Sequence, residues 1–411
     1  MNYPKIARNI TLTLLITQSL GTAAVSVTGT VNTIVGAELS GTPSLAGLPG
    51  AVVQIGSAVA SFLLGATMDR TGRRLGLGSG IALGILGSLI AVLSILSGSF
   101  LFFLLGMMLF GAARAGMQLG RFAAAEVHPP ESRGRAISYV VLGGVFGAVL
   151  GPQLASPAGQ LARQTGLPEL AGPYAVGLLT FFLATTVIFT FLRPDPRDIG
   201  RDISRLYPET ARHTGPTRRV STILRTPTAF TAMIVMVAGQ VVMVGLMGIT
   251  SLHMKNNNHE LSAIAIVFSA HTLGMFAFSI VTGRLADKWG RGRVILSGTA
   301  MLFAAGVLAP LSTAVAPLAV ALFLLGLGWN FCYVGGSALL SDVLSPEERA
   351  KTQGANDLLI SLSTAVASFS SGVVFAGYGY TAIGIIAALL AVVPFVLSVR
   401  WTVVHRKAVL T

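Results

Sequence analysis

Apolar runs of about 20 residues recur along the whole chain, separated by short loops rich in charge, proline or glycine. We place twelve, at 9–35, 44–67, 75–96, 99–126, 136–158, 173–192, 228–252, 261–283, 294–311, 315–340, 354–376 and 380–400. Each is long enough to cross a hydrocarbon core of about 30 Å, where no water is present to satisfy a backbone N–H or C=O. A helix meets that demand within one segment, so the expected fold class is an all-α membrane protein with twelve transmembrane helices. The composition agrees, with 53% hydrophobic and 10% charged residues. The first run follows Lys5 and Arg8 but is too long for the core of a signal peptide and lacks a small-residue cleavage site, so it reads as a retained span.

Charge placement orients the spans. Of 28 Lys and Arg, only Arg163 and Lys255 fall in loops on one side, and Arg114 and Arg121 lie inside the fourth span. The rest sit in the opposite loops and the termini, which the positive-inside rule makes cytoplasmic. Topology therefore accounts for the formal charge of +13. The basic residues lack the aromatic interleaving of a nucleic-acid surface, so no nucleic-acid partner is expected. The single cysteine, Cys332, excludes an intramolecular disulfide and any CxxC pattern.

The longest polar stretch, residues 193–227, carries eight Arg, four acidic residues and five Pro, and separates two sets of six spans. The sets are related in sequence. Gly65-x-x-x-Asp69-Arg70-x-Gly72-Arg73 after span two recurs as Gly283-x-x-x-Asp287-Lys288-x-Gly290-Arg291 after span eight. Glu126, Pro130, Glu131, Arg133 and Arg135 recur as Asp342, Pro346, Glu347, Arg349 and Lys351 at nearly the same offset. Two independent matches at one period mark a duplication.

On these loop motifs the chain resembles the major facilitator superfamily along its whole length. The resemblance implies two six-helix bundles, residues 1–192 and 228–411, joined by a cytoplasmic linker at 193–227 and working by alternating access. It also implies a gating role for Gly65, Asp69, Arg70, Gly72, Arg73, Gly283, Asp287, Lys288, Gly290 and Arg291. A physical reading reaches a similar place, because Arg73 with Glu126, and Arg291 with Asp342, are placed to pair at the inner membrane edge.

HExxH, Walker and GxSxG patterns are absent, and six His with fifteen carboxylates are too scattered for an evident active site, so an enzyme is not expected. Ionisable groups at membrane depth are costly and point to function: Arg114, Arg121, His271 and Asp357. Residues 233–275 hold six of the twelve Met and three of the six His. Met243-x-x-x-Met247 in span seven and His271-x-x-x-Met275 in span eight each share a helix face. If the two spans form a hairpin turning near residue 256, Met243 and His271 lie at similar depth. Thioether sulfur and neutral imidazole suit monovalent copper better than hard cations. The plainer reading stays open, in which Met fills gaps in an apolar core and His271 bridges helices or carries a proton.

MxxxM in span seven, HxxxM in span eight and the run from His253-Met254 through His259 resemble the bacterial copper importers called CcoA-like transporters. That resemblance makes Met243, Met247, His271 and Met275 transmembrane copper ligands and His253, Met254 and His259 capture residues. It implies copper supply to a haem–copper oxidase from the bacterial inner membrane. Cys332 is a further candidate soft ligand. No cofactor is expected, copper being cargo, and the expected state is a monomer among membrane lipids. The same extended family includes members resembling riboflavin importers.

Gly147-x-x-x-Gly151-Pro152 in span five resembles the antiporter motif but lacks its trailing Gly-Gly. Arg114 with Gln118 resembles the fourth-span motif of proton-linked drug exporters, at a spacing one residue longer. The rivals to copper import are thus transport of a flavin or drug, with His271 or Arg114 orienting the solute, and a non-transporting metal sensor or assembly factor.

Overall fold

The computed structural model describes residues 3–206 and 218–410, among which every regular element is a helix. The first half holds α1 (Tyr3–Gly29), α2 (Asn32–Ser40), α3 (Leu48–Thr71), α4 (Arg73–Ser97), α5 (Phe100–Glu126), α6 (Arg133–Leu150), α7 (Ala155–Gln164), α8 (Ala171–Phe191) and α9 (Pro196–Leu206). The second holds α10 (Val220–Leu224), α11 (Pro227–Asn256), α12 (Leu261–Phe276), α13 (Ser279–Trp289), α14 (Arg291–Leu308), α15 (Val315–Ser341) and α16 (Pro346–Leu410). Residues 207–217 of the expected linker lie outside the described residues.

Among the described residues, eleven helical stretches are long and apolar enough to cross a membrane. The last, Lys351–Val403, has 53 residues. At 1.5 Å per residue it is about 80 Å long, well over twice the hydrocarbon thickness. It is two helices joined at Gly379, whose φ of 74° and ψ of −176° break the helical path. The eleventh and twelfth expected spans fall on either side of that residue.

Three expected spans are interrupted, for local reasons in two cases. The first ends at Gly29, where Thr28 and Thr30 turn their hydroxyls onto the carbonyls of Ala24 and Ser26, a pattern that bends helices. The fifth breaks after Leu150, where Pro152 brings no N–H and a ring that crowds the preceding turn. The eighth divides at Ala277 and Phe278 into α12 and α13, and we have no physical account of that break.

The chain divides into two compact units, Met1–Gly41 with Val52–His213, and Thr42–Ala51 with Thr214–Thr411. In the first, α1 packs on α6 and α8, and α4 on α5 and α8. The Gly147 run is the contact face of α6, since a Cβ at Gly147 would collide with the Ser19 carbonyl oxygen of α1. Ser19 also donates to the Gly143 carbonyl at 2.6 Å. This close approach is the small-xxx-small mode of membrane helix packing.

In the second unit α11 packs on α15 and α16, α14 on both of these, and α12 along α15. The ten residues before Val52 belong here, tied by Ser368 donating to the Gly47 carbonyl at 2.9 Å. The polar stretch after α8 is not wholly irregular. In α9, Ile199 and Ile203, one turn apart, are buried, while Arg201 and Arg205 are exposed.

Candidate functional site

The two repeated loops are built alike. Gly72 has φ 103° and ψ 163°, and Gly290 has φ 89° and ψ 150°, a region open essentially to glycine alone. One residue thus reverses the chain between α3 and α4, and between α13 and α14. Each turn delivers an arginine to the first position of the next helix. Arg73 binds Asp69 at 2.7 Å and grips Glu126 with Nη2 at 2.6 Å and Nε at 2.9 Å. Arg291 binds Asp287 at 2.7 Å and Asp342 at 3.2 Å. Gly65 and Gly283 begin the motifs without a packing reason inside their units, because a methyl group at either would meet no atom within 4 Å.

Among the described residues the first loop has supports without counterparts at the second. Asp195 accepts from the backbone N–H of Arg73 and of Arg74, both at 3.0 Å, satisfying donors that a helix start leaves orphaned. Arg197 donates to the carbonyls of Asp69 and Arg70 at 2.9 and 3.1 Å, closing the end of α3. Neither residue is marked by the repeat; the only signal is an acid between two prolines just after span six. In the second unit the incoming chain is fixed elsewhere. Arg218 donates to Glu348 through its backbone N–H at 3.0 Å and its guanidinium at 2.8 and 2.7 Å. Together with the Ser345 N–H, these bonds hold the Glu348 carboxyl down at about 2.

His271 on α12 is buried, with Nδ1 2.9 Å from the Leu322 carbonyl oxygen of α15. A carbonyl only accepts, so Nδ1 carries the proton and Nε2 keeps the lone pair. The helices come this close because residue 326 is glycine; a Cβ there would collide with the His271 carbonyl oxygen. Met243 and Met247 on α11 are buried, and Met275 is half-buried.

The register differs from the sequence expectation by a turn, because α11 runs on to Asn256. Met247 lies nine residues from that end and His271 ten from the start of α12. These are depths of about 14 and 15 Å, whereas Met243 and Met275 both lie about 20 Å in. Counted along the helices, Met247 and His271 are thus at similar distances from the connecting loop, as are Met243 and Met275. α11 and α12 meet only sparsely, and α15 is the neighbour both pack against.

The remaining soft groups lie apart. Cys332 is buried, its Cβ facing Gly239 of α11. The His253 ring stacks on Tyr380 with centroids 4.1 Å apart, and Tyr380 shares a 2.8 Å hydrogen bond with Thr250. Met254 is buried in the core. His259 Nε2 donates to the Thr313 carbonyl at 2.7 Å, leaving Nδ1 as its lone pair. Among the described residues no three His, Cys, Asp or Glu cluster as metal ligands.

An aromatic group escaped the sequence reading. Trp329 stacks on Tyr333 at 5.0 Å, meets Phe276 edge-on at 6.2 Å and donates from Nε1 to Gln240 at 2.7 Å. Its signal was an i, i+4 aromatic pair in span ten. In the first unit Arg114 donates to the Gln54 amide oxygen at 3.0 Å, and Arg121 lies over the Phe122 ring. Asp357 is half-buried on α16.

Residues 14–255 and 228–410 match the Major Facilitator Superfamily. The uncharacterized MFS-type transporter YdeG of Bacillus subtilis (strain 168) is 35% identical over 380 residues, covering 92% of this chain and 88% of its own. The riboflavin transporter RfnT of Brucella anthropi is 30% identical over 398 residues, 96% of each chain. The crystal structure of a D-xylose–proton symporter superposes with a TM-score of 0.70 at 16% identity, covering 94% of this chain and 97% of that one.

Proposed function

Because the chain belongs to the Major Facilitator Superfamily, and is thus a membrane secondary transporter rather than an enzyme, we propose that its cargo is copper, imported across a bacterial inner membrane for supply to a haem–copper oxidase. The observation that carries this reading is the His271 ring. A metal-binding histidine almost always gives its second ring N–H to a carbonyl or carboxylate, which fixes the tautomer and aims the lone pair. His271 gives Nδ1–H to Leu322 and so presents Nε2. Met247 is at its depth, with Met243 and Met275 one turn deeper. Neutral nitrogen with thioether sulfur is a soft set, suited to Cu(I).

In this reading both termini and the motif loops are cytoplasmic, and His253 and His259 face outward, where copper is captured. The ion passes to the Met and His ligands and leaves inward as the bundles rock. Arg73 and Arg291 hold the loops between rocking steps. Asp69 and Asp287 are each 73% exposed, so their pairs are worth about 1 kcal/mol or less and open readily.

A second reading has its own support. Trp329, Tyr333 and Gln240 offer an aromatic face beside an amide, suited to a planar organic solute, and RfnT is named for riboflavin transport. One experiment separates the two: radiolabelled copper and riboflavin uptake by cells expressing wild type or His271→Ala/Met275→Ala. Copper import predicts copper uptake that the double change abolishes. Copper uptake that survives the change refutes the ligand assignment, and riboflavin uptake without copper uptake selects the second reading.

A further inference from the structure

Arg114 lies 14 residues from the start of α5 and 12 from its end, roughly 20 Å from either, at mid-membrane depth. A guanidinium there is costly and is held where charge or hydrogen bonds compensate it. Among the described residues its one polar partner is the neutral Gln54 oxygen, through Nη1, and none of the ion pairs includes it. Among the described residues its Nε and Nη2 have no acceptor, so two of its donor groups are left for a ligand. Two turns along the same helix, Arg121 is a second cation that, among the described residues, pairs with no carboxylate, and its Nε is buried without a hydrogen-bond partner there.

The duplication supplies the control. The position matching Arg114 is Asn330, buried and neutral, and every polar atom of its amide is used. Its nitrogen donates to the Met275 carbonyl at 2.7 Å and to Ser279 at 2.8 Å, and its oxygen accepts from Thr282 at 2.6 Å. The position matching Gln54 is Thr272, whose hydroxyl bonds within its own helix. The same helix pair therefore packs without a cation in the second unit. Packing does not explain the charge in the first.

We propose that Arg114 and Gln54 form an anion-binding site in the first unit, taking a monovalent anionic group such as chloride or a carboxylate. With its oxygen turned to Arg114, the Gln54 amide keeps its two N–H donors for the same ligand, beside the free edge of the guanidinium. Such a group is either a free anion that crosses with the cargo or an anionic ligand on the cargo itself. The site stands independently of the copper reading; only what travels with the anion rests on it.

The test is thermal unfolding of the purified full chain in detergent during titration with chloride or with acetate. Ionic strength is held constant with a bulky sulfonate buffer. Wild type is expected to show a saturable rise in midpoint with at least one anion. Arg114→Gln abolishes the rise, Arg114→Lys keeps part of it, and Gln54→Leu weakens half-saturation by about tenfold. A wild type without a saturable rise, or an unchanged rise in Arg114→Gln, overturns the proposal, and the wild-type titration decides even if a variant fails to fold. Radiolabelled chloride flux in proteoliposomes then separates the sources. Copper-dependent chloride flux lost in Arg114→Gln identifies a free anion, whereas chloride that binds without moving identifies an anionic group on the cargo.

Discussion

Gly72 and Gly290 occupy equivalent turns, yet alanine at the two positions should not cost the same. Each substitution forces an L-residue into glycine-only backbone space, at about 1–3 kcal/mol. At Gly290 that is the whole cost, since a Cβ there meets nothing within 4 Å. At Gly72 the Cβ would lie 2.5 Å from Asp195 Oδ2, so the carboxylate must move and release the N–H groups of Arg73 and Arg74. Loss of such a cap adds about 0.5–2 kcal/mol. With a shift on the order of 2 °C per kcal/mol, Gly290→Ala should lower the unfolding midpoint by about 2–6 °C and Gly72→Ala by about 3–10 °C. The decisive assay is a double-mutant cycle with Asp195→Ala, followed by thermal unfolding of the full chain in detergent. Once the cap is gone, Gly72→Ala should cost no more than Gly290→Ala. Strictly additive effects of Gly72→Ala and Asp195→Ala would refute the steric argument.

Two further outcomes follow from the second unit. The Glu348 carboxyl is held at about 2 rather than 4.5 by Arg218, so its contribution to stability is complete above pH 4.5 and fades as pH falls toward 2; thermal scans across that range should show a loss in wild type that Glu348→Gln flattens. Gly326→Ala drives a Cβ into the His271 carbonyl, where backbone meets backbone, so it should cost about 1–3 kcal/mol and, on the copper reading, reduce copper uptake with none of the proposed ligands removed; unchanged uptake and stability would sever His271 from this contact.

Most of the architecture was legible because hydrocarbon enforces it. Runs of about 20 apolar residues have few alternatives, and the recurrence of Gly72-Arg73 as Gly290-Arg291 announced two similar turns with matching ion pairs. What escaped the sequence depended on where chain ends and breaks fall. The one-turn change in the pairing of Met243 and Met247 with His271 and Met275 came from four extra residues of α11, because polar residues at a span end do not stop a helix. Asp195 carries no repeat partner, since it fixes a loop in one unit only. Gly147-x-x-x-Gly151-Pro152 read as a motif of function and as a packing face equally well, and its contact with Ser19 makes the packing role concrete. The Trp329 group was hidden because an aromatic pair in an apolar span has the same pattern whether it faces a neighbour, lipid or a cavity.

The placement of Thr42–Ala51 in the second unit has a consequence for the order of events during synthesis. The Gly47 carbonyl and the Ser368 hydroxyl are 321 residues apart in the chain. At about 5–20 residues per second, roughly 15–60 s separate their emergence from the ribosome. For that interval the second unit lacks one of its own pieces, because an early segment waits for a late helix. Contacts of such separation are slow to close, so the final closure of this unit is a late step that a fragment beginning at Thr214 has no means to complete.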